Sequence, residues 1–265
     1  MRTLIRRIWR IISLALHLVV GVFLVAFVFG FYSPLQRDRT TTRWAARLLR
    51  ILHVRSITSR MPDLPNGALL VANHVSWLDI FVLLSARRVH FVSKHEVRAW
   101  PVIGWLAHRV GTLFIERAKK SDTARINQEM HALLLSGAWV AVFPEGTSTN
   151  GSKLLPFLPS LFQPAVSQNL PVVPVALDYV SPDDKRAPQV AYSDDISFTQ
   201  SLWNICGESE IRARLNFLLP VSGSHRRELA ERAHHEIASA LGFNPAPVSG
   251  GSPAGIAGDL PDVKQ

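Results

Sequence analysis

Apolar positions change their period several times along the chain, and each change predicts a different element. From Ile11 to Phe31 the sequence IISLALHLVVGVFLVAFVFGF runs 21 residues without a Lys, Arg, Asp or Glu. Crossing the hydrocarbon of a bilayer takes roughly 20 such residues. The run exceeds the apolar region of a secretory signal, roughly 7–15 residues, and no A-x-A-like cleavage site follows it, so the segment is expected to be retained. Residues 39–55, RTTTRWAARLLRILHVR, place Trp44, Leu48 and Ile51 at helical spacing, with Leu52 widening the stripe and arginines along its edges. That pattern fits a helix lying in a membrane interface, and it equally fits an ordinary amphipathic helix packed on a domain.

Beyond residue 62 the pattern shortens. ALLVAN (68–73), VHFVSK (89–94), TLFIER (112–117), WVAVFP (139–144), PVVPVALDY (171–179) and IRARLNFLL (211–219) read as strands, and 76–86, 99–109, 121–136 and 224–241 read as helices. This alternation predicts an α/β fold, a mainly parallel sheet flanked by helices, preceded by an N-terminal membrane-associated helical segment. In such folds ligands bind where loops leave the C-terminal ends of the strands. The chain divides into a membrane segment with an amphipathic helix (1–60), the α/β domain (61–244) and a tail (245–265). The tail, PAPVSGGSPAGIAGDLPDVKQ, lacks apolar periodicity and is expected to be disordered.

Charge narrows the partner. With 29 Lys and Arg against 20 Asp and Glu, the net charge of +9 asks for an anionic partner, nucleic acid or anionic lipid, and the apolar N-terminal run favours lipid over nucleic acid. Arginines flank that run on both sides, at 2, 6, 7 and 10 and at 37, 39, 43, 47 and 50, so a charge-bias rule gives no orientation. A kink near Gly21 would let the segment dip into one leaflet with both ends on the cytoplasmic side. The lone Cys206 excludes an intrachain disulfide and fits a reducing compartment.

Four stretches could carry chemistry. FPEGTSTNGSK (143–153) follows a strand, and Gly146 and Gly151 have the G-x-x-x-x-G spacing of a nucleotide-phosphate loop. The next residues, Ser152-Lys153, reverse the Lys-then-Ser/Thr order that such a loop requires, and the following LLPFLP is a poor helix start. A serine-hydrolase elbow fails too, because the second glycine of G-x-S-x-G is missing.

NHVSWLD (73–79) sits where a strand turns into a helix. His74 and Asp79 would lie about 140° apart within one helix, but with His74 in the preceding turn the imidazole can fold back onto the carboxylate as a base held in one tautomer. Ser76-Trp-Leu-Asp79 also fits a capping box, in which Asp79 merely satisfies helix amides. GTLFIER (111–117) ends a strand in Arg117, suited to a phosphate or carboxylate. The paired prolines of LPVVPVAL (170–177) suggest an edge strand or a strand end near the site.

In this order and at these separations, NHVSWLD, GTLFIER, FPEGT and LPVVPV resemble the glycerolipid acyltransferase family, which includes bacterial 1-acylglycerol-3-phosphate acyltransferases. The resemblance covers roughly residues 65–180. It implies that His74 is the general base that deprotonates an acceptor hydroxyl, and that Asp79 orients and charge-stabilises it. It implies further that Arg117, Glu145, Gly146 and Thr147 bind the acceptor's head and that Pro174 shapes the site near the acyl donor. No metal, other cofactor or covalent enzyme intermediate is implied. The implied partners are acyl-carrier protein or acyl-CoA as donor, a lysolipid acceptor and a membrane surface, with the catalytic domain on the cytoplasmic side of the inner membrane. Many members carry a lysine and a glycine where this chain has Leu158 and Ser160. Lyso-ornithine lipid therefore stands beside lysophosphatidate as acceptor, and a non-catalytic lipid-binding protein is the alternative of another class.

Overall fold

The computed structural model describes residues 1–64, 67–116, 120–193 and 196–244. The tail expected to be disordered lies outside the described residues, as does Arg117.

The N-terminal apolar run is helical. α1 (Arg2–Phe23) continues through a π-helical turn at Leu24–Val28 and a 3₁₀ turn at Phe29–Phe31, and this stretch is long and apolar enough to cross a membrane. The irregular turns follow Gly21 rather than centre on it. Gly21 faces Trp44 instead, where an added Cβ would lie 2.9 Å from Trp44 Nε1. Ser33 then restarts the helix. Its hydroxyl accepts from the Gln36 amide at 3.3 Å, Gln36 Oε1 accepts from the Ser33 amide at 2.8 Å, and Pro34 takes the first helical position. α2 (Pro34–Ile51) buries Ala45, Leu48 and Leu49 and leaves Arg39, Arg43, Arg47 and Arg50 exposed. Of the two readings of 39–55, the structure takes the helix packed on a domain.

β1 (Val54–Thr58) buries only Val54, so apolar periodicity gave no strand there. The α/β unit therefore begins before residue 61, the boundary expected from the sequence. β2 (Leu69–Ala72), α3 (Leu78–Ala86) and β3 (His90–Lys94) come next. Of the helix expected over 99–109 only α5 (Ile103–Arg109) forms; it is separated from a preceding short helix, α4 (His95–Arg98), at Pro101 and at Val102, whose φ is +64°. β4 (Leu113–Ile115), α6 (Lys120–Leu135), β5 (Val140–Val142) and α7 (Gln163–Ser167) lead to β6 (Val172–Val180). α8 (Phe198–Gly207), unassigned from sequence, precedes β7 (Ile211–Phe217) and α9 (Arg226–Ala240).

The sheet order is β1-β7-β6-β2-β5-β3-β4. The last five strands in that order run parallel, and β7 and β1 run the other way at one edge. β2 and β5 are buried at every position, as parallel strands covered on both faces must be. One face packs on α2, α3 and α8 through residues such as Leu49, Leu83 and Ile205. The other packs on α6 and α9 through Met130, Ala233 and Ile237. Each large aliphatic side chain so buried contributes about 1.5–3 kcal/mol. β2 and β5 are neighbours, yet the chain leaves β2 toward β3 on one side and leaves β5 toward β6 on the other. Their C-terminal ends form the switch point at which α/β folds open a crevice.

α1 is amphipathic in an inverted sense. Arg10, Leu14, His17 and Gly21 recur at helical spacing and face the protein. Arg10 donates to the carbonyls of Cys206 at 3.1 Å and Glu208 at 2.6 Å, and Arg6 donates to Gly207 O, so both complement the C-terminus of α8. His17 stacks on Trp44 with ring centroids 4.6 Å apart, and Trp44 Nε1 donates to His17 O at 3.2 Å. On the other side Ile5, Ile8, Ile12, Leu16, Val19 and Phe23 are exposed.

Candidate active site

β2 is followed by Asn73, whose side-chain amide extends the β2–β6 ladder: Nδ2 donates to Leu177 O and Oδ1 accepts from Leu177 N, both at 2.8 Å. That bridge fixes the chain where it leaves the sheet at His74. α3 begins four residues later and carries the fully buried Asp79 in its first turn. His74 Nδ1 lies 2.7 Å from Asp79 Oδ2. The same oxygen accepts from the amides of Val75 at 2.8 Å and Ser76 at 3.0 Å, and Oδ1 accepts from the Tyr179 hydroxyl at 2.7 Å. The two sequence readings of Asp79 are therefore not alternatives. One carboxylate closes the turn and holds the imidazole.

With Asp79 accepting, Nδ1 carries the proton and the Nε2 lone pair is free to act as a base. The His74 side chain is 21% exposed, enough to meet a substrate. Phe143 stacks on the ring with centroids 4.1 Å apart and planes 14° from parallel, which limits its rotation. Burial, and then the Asp79 charge, push the Tyr179 phenol well above its ordinary pKa, so it stays a donor to Asp79.

The FPEGT loop clasps this turn. Gly146 N donates to Phe143 O at 3.2 Å, and Gly146 adopts φ +82°, which glycine takes without strain. Glu145 is 8% exposed: Oε1 accepts from His74 N at 2.7 Å and Oε2 from Leu155 N at 2.9 Å. Burial raises its pKa above the ordinary 4.5, opposed by the amides of Leu155 and His74. Thr149 N donates to His74 O at 2.8 Å, and Tyr192 N donates to Val75 O at 2.9 Å. Ser148 in turn donates to Tyr192 O. The backbone of His74 is thus held on both its amide and its carbonyl side. Among the described residues no group of three or more His, Cys, Asp and Glu is placed to hold a metal ion.

A family model described as Acyltransferase matches residues 53–178. The 1-acyl-sn-glycerol-3-phosphate acyltransferase of Neisseria meningitidis is 35% identical over 186 residues, 70% of this chain and 72% of that protein. This chain belongs to the glycerolipid acyltransferase family. The lyso-ornithine lipid O-acyltransferase of Pseudomonas aeruginosa is 40% identical over 220 residues, 81% of this chain and 83% of that protein. The crystal structure of the 1-acyl-sn-glycerophosphate acyltransferase PlsC from Thermotoga maritima shares the fold, with a TM-score of 0.69 at 19% identity over 91% of this chain and 95% of that one. The chain is an acyltransferase of lipid synthesis, and the non-catalytic alternative falls away.

In this acyltransferase the fold brings His74, Asp79, Glu145 and Gly146 together, with Thr147 exposed on the same loop. Arg117 lies outside the described residues. Pro174 is not brought to the cluster. It is buried in β6, the third residue of a strand that pairs with β2 on one side and β7 on the other, so of the two expected placements, an edge strand or a strand end near the site, the edge strand is corrected. A proline is tolerated there because the antiparallel pairing shifts register by one residue between Val175↔Phe217 and Val172↔Val221, where its missing N–H would have pointed. Strand alternation puts Pro174 with Val172 and Ala176, opposite the face that carries Tyr179.

Asn73, Phe143, Thr149 and Tyr179 were missed as site residues. Asn73, Phe143 and Thr149 lie inside stretches already singled out. Tyr179 ends the apolar run of β6 and had no local signal, because its partner Asp79 is 100 residues away.

Proposed function

We propose that this acyltransferase moves a fatty acyl group from an acyl-carrier-protein or coenzyme A thioester to the free hydroxyl of a lysolipid, converting 1-acylglycerol-3-phosphate to phosphatidic acid. The observation that carries this reading is the His74 Nδ1 to Asp79 Oδ2 contact at 2.7 Å with Nε2 left as the base. His74 Nε2 takes the hydroxyl proton as the acceptor oxygen bonds to the thioester carbonyl carbon. Collapse of the tetrahedral intermediate breaks the C–S bond, and the leaving thiolate takes the proton back from the imidazolium. Asp79 stabilises that imidazolium and keeps its tautomer. Arg117 pairs with the acceptor phosphate, and Gly146 and Thr147 face the head group. Glu145, with both oxygens on backbone amides, acts by holding the His74 turn.

General-base catalysis contributes roughly 10²–10⁴-fold. His74→Ala is therefore expected to lower transfer by at least about 100-fold while vesicle binding stays at the wild-type level. Transfer at the wild-type rate would remove His74 from the mechanism.

A second acceptor, lyso-ornithine lipid, is favoured by Leu158, which is 40% exposed where many members carry a lysine, and by the similarity to the Pseudomonas aeruginosa protein. Labelled acyl-carrier protein offered with lysophosphatidate and with lyso-ornithine lipid side by side decides between them, and transfer to neither defeats both. The inverted faces of α1 support a membrane-bound enzyme. Because α1 lies along α2 and α8 of the catalytic unit, we place it in one leaflet with both ends on the cytoplasmic face of the inner membrane.

A further inference from the structure

Two adjoining grooves open where α1, the last turn of α2 and the start of β1 meet. One, of about 290 Å³, is lined by Arg6, Trp9, Arg10 and Ser13 of α1 together with Arg50, Ile51 and His53. The other, of about 450 Å³, continues past Arg50 and His53 to Arg55, Ser56, Ser85 and Glu210. Arg50 and His53 form the shared wall, and neither groove includes His74 or Asp79.

The charge in this double groove is unbalanced. Four arginines and a histidine line it against one acid, Glu210, whose carboxylate already accepts from Arg212 Nε at 2.9 Å. Arg10 is 2% exposed, and its Nε, like that of Arg6, is buried with no hydrogen-bond partner. Desolvation, and after it the Arg10 and Arg6 cations, hold the His53 imidazole below its ordinary pKa. His53 also sits at φ +57°, a conformation rarely adopted by a residue with a side chain. An anion placed here would give the guanidinium groups the charged acceptor they lack.

The surroundings identify the kind of anion. Trp9, 70% exposed, forms one wall and belongs to the same apolar stripe of α1 as Ile5 and Ile12. A phosphate seated between Arg50 and Arg10 would therefore have an apolar surface beside it along which acyl chains can lie. Aromatic side chains next to cations are typical of the headgroup level of a bilayer. We infer that this double groove is a second lipid site, separate from the catalytic one, that takes the phosphate of an anionic phospholipid and so orients α1 and the catalytic unit on the bilayer.

The test uses the purified full-length chain and vesicles of phosphatidylcholine with or without phosphatidylglycerol, read by co-sedimentation. Arg50 and Arg55 are exposed, so Arg50→Gln/Arg55→Gln should fold normally. Arg39→Gln/Arg43→Gln, on the exposed side of α2, removes the same charge outside the groove. The control is expected to lose up to about 30-fold of the phosphatidylglycerol-dependent affinity, the diffuse attraction of two surface arginines, and the groove variant about tenfold more than the control. Native mass spectrometry should find phosphatidylglycerol retained by the wild type and the control and absent from the groove variant. Equal loss in the two variants would reduce the effect to diffuse attraction and overturn the site. Displacement of the retained lipid by inorganic phosphate alone would overturn its assignment to a lipid.

Discussion

Asp79 accepts four hydrogen bonds, from the His74 ring, two turn amides and Tyr179, and so couples helix capping to the orientation of the imidazole proposed as the base. Tyr179→Phe removes one of these without leaving a cavity. A hydrogen bond to a buried charged group is worth about 1.5–3 kcal/mol, so urea unfolding should show a loss in that range. Transfer should fall about tenfold in kcat with KM little changed, because Tyr179 acts through Asp79 and touches no substrate. Glu145 gives a pH-dependent counterpart. Its pKa is raised in the folded state, so the folded chain keeps the proton to higher pH than the unfolded chain does, and this contribution to stability is lost as pH rises from the ordinary 4.5 through the folded value. Glu145→Gln does not titrate and puts an NH₂ group against a backbone donor, at a loss of about 1–3 kcal/mol. The advantage of the wild type over Glu145→Gln should therefore shrink across that window, as measured by denaturant unfolding at several pH values.

Among the elements, α1 departs furthest from the usual amphipathic logic, since its buried face carries Arg10, His17 and Gly21 while Ile5, Ile8, Ile12, Leu16 and Val19 face outward. The buried face works because Arg10, apart from its Nε, and His17 meet matching partners. Arg10 meets the carbonyl end of α8, and His17 meets the ring and carbonyl of Trp44. Gly21 lets Trp44 approach, and Gly21→Val would force the indole aside. Such overpacking typically costs about 1–3 kcal/mol, and the melting temperature of the detergent-solubilised protein should drop by several degrees. Catalytic geometry at His74 should be spared, so kcat in micelles should stay near wild type below the new transition.

At the scale of the whole molecule, the His74–Asp79 cluster and the apolar stripe of α1 belong to one packed body, because α1 docks on α2 and α8. Ile12 and Leu16 are 48% and 63% exposed, so Ile12→Asp/Leu16→Asp removes no protein contact of note. Charges there oppose insertion into hydrocarbon. The double variant should stay in the supernatant of a vesicle sedimentation assay while its melting temperature changes little, and transfer to a micelle-dispersed lysolipid should persist. Sedimentation with the vesicles would show that α1 is not the membrane anchor.

The sequence alone determined features that depend on neighbours in the chain. The 21-residue apolar run, the strand and helix periodicities, and the turn that lets His74 fold onto Asp79 five residues later are all local. Tertiary structure decided what depends on distant partners. Tyr179 reaches Asp79 across 100 residues, Glu145 reaches the His74 amide across 71, and Arg10 reaches α8 across 196. It also corrected the edge-strand reading of Pro174 and chose between the two readings left open for the stripe of α2. Pro174 sits in a central strand because a register shift removes the need for its N–H, and the stripe of α2 meets protein rather than lipid because α3 and β1 supply apolar cover. Periodicity records which positions avoid water, but the packed fold determines whether protein or membrane takes the place of that water.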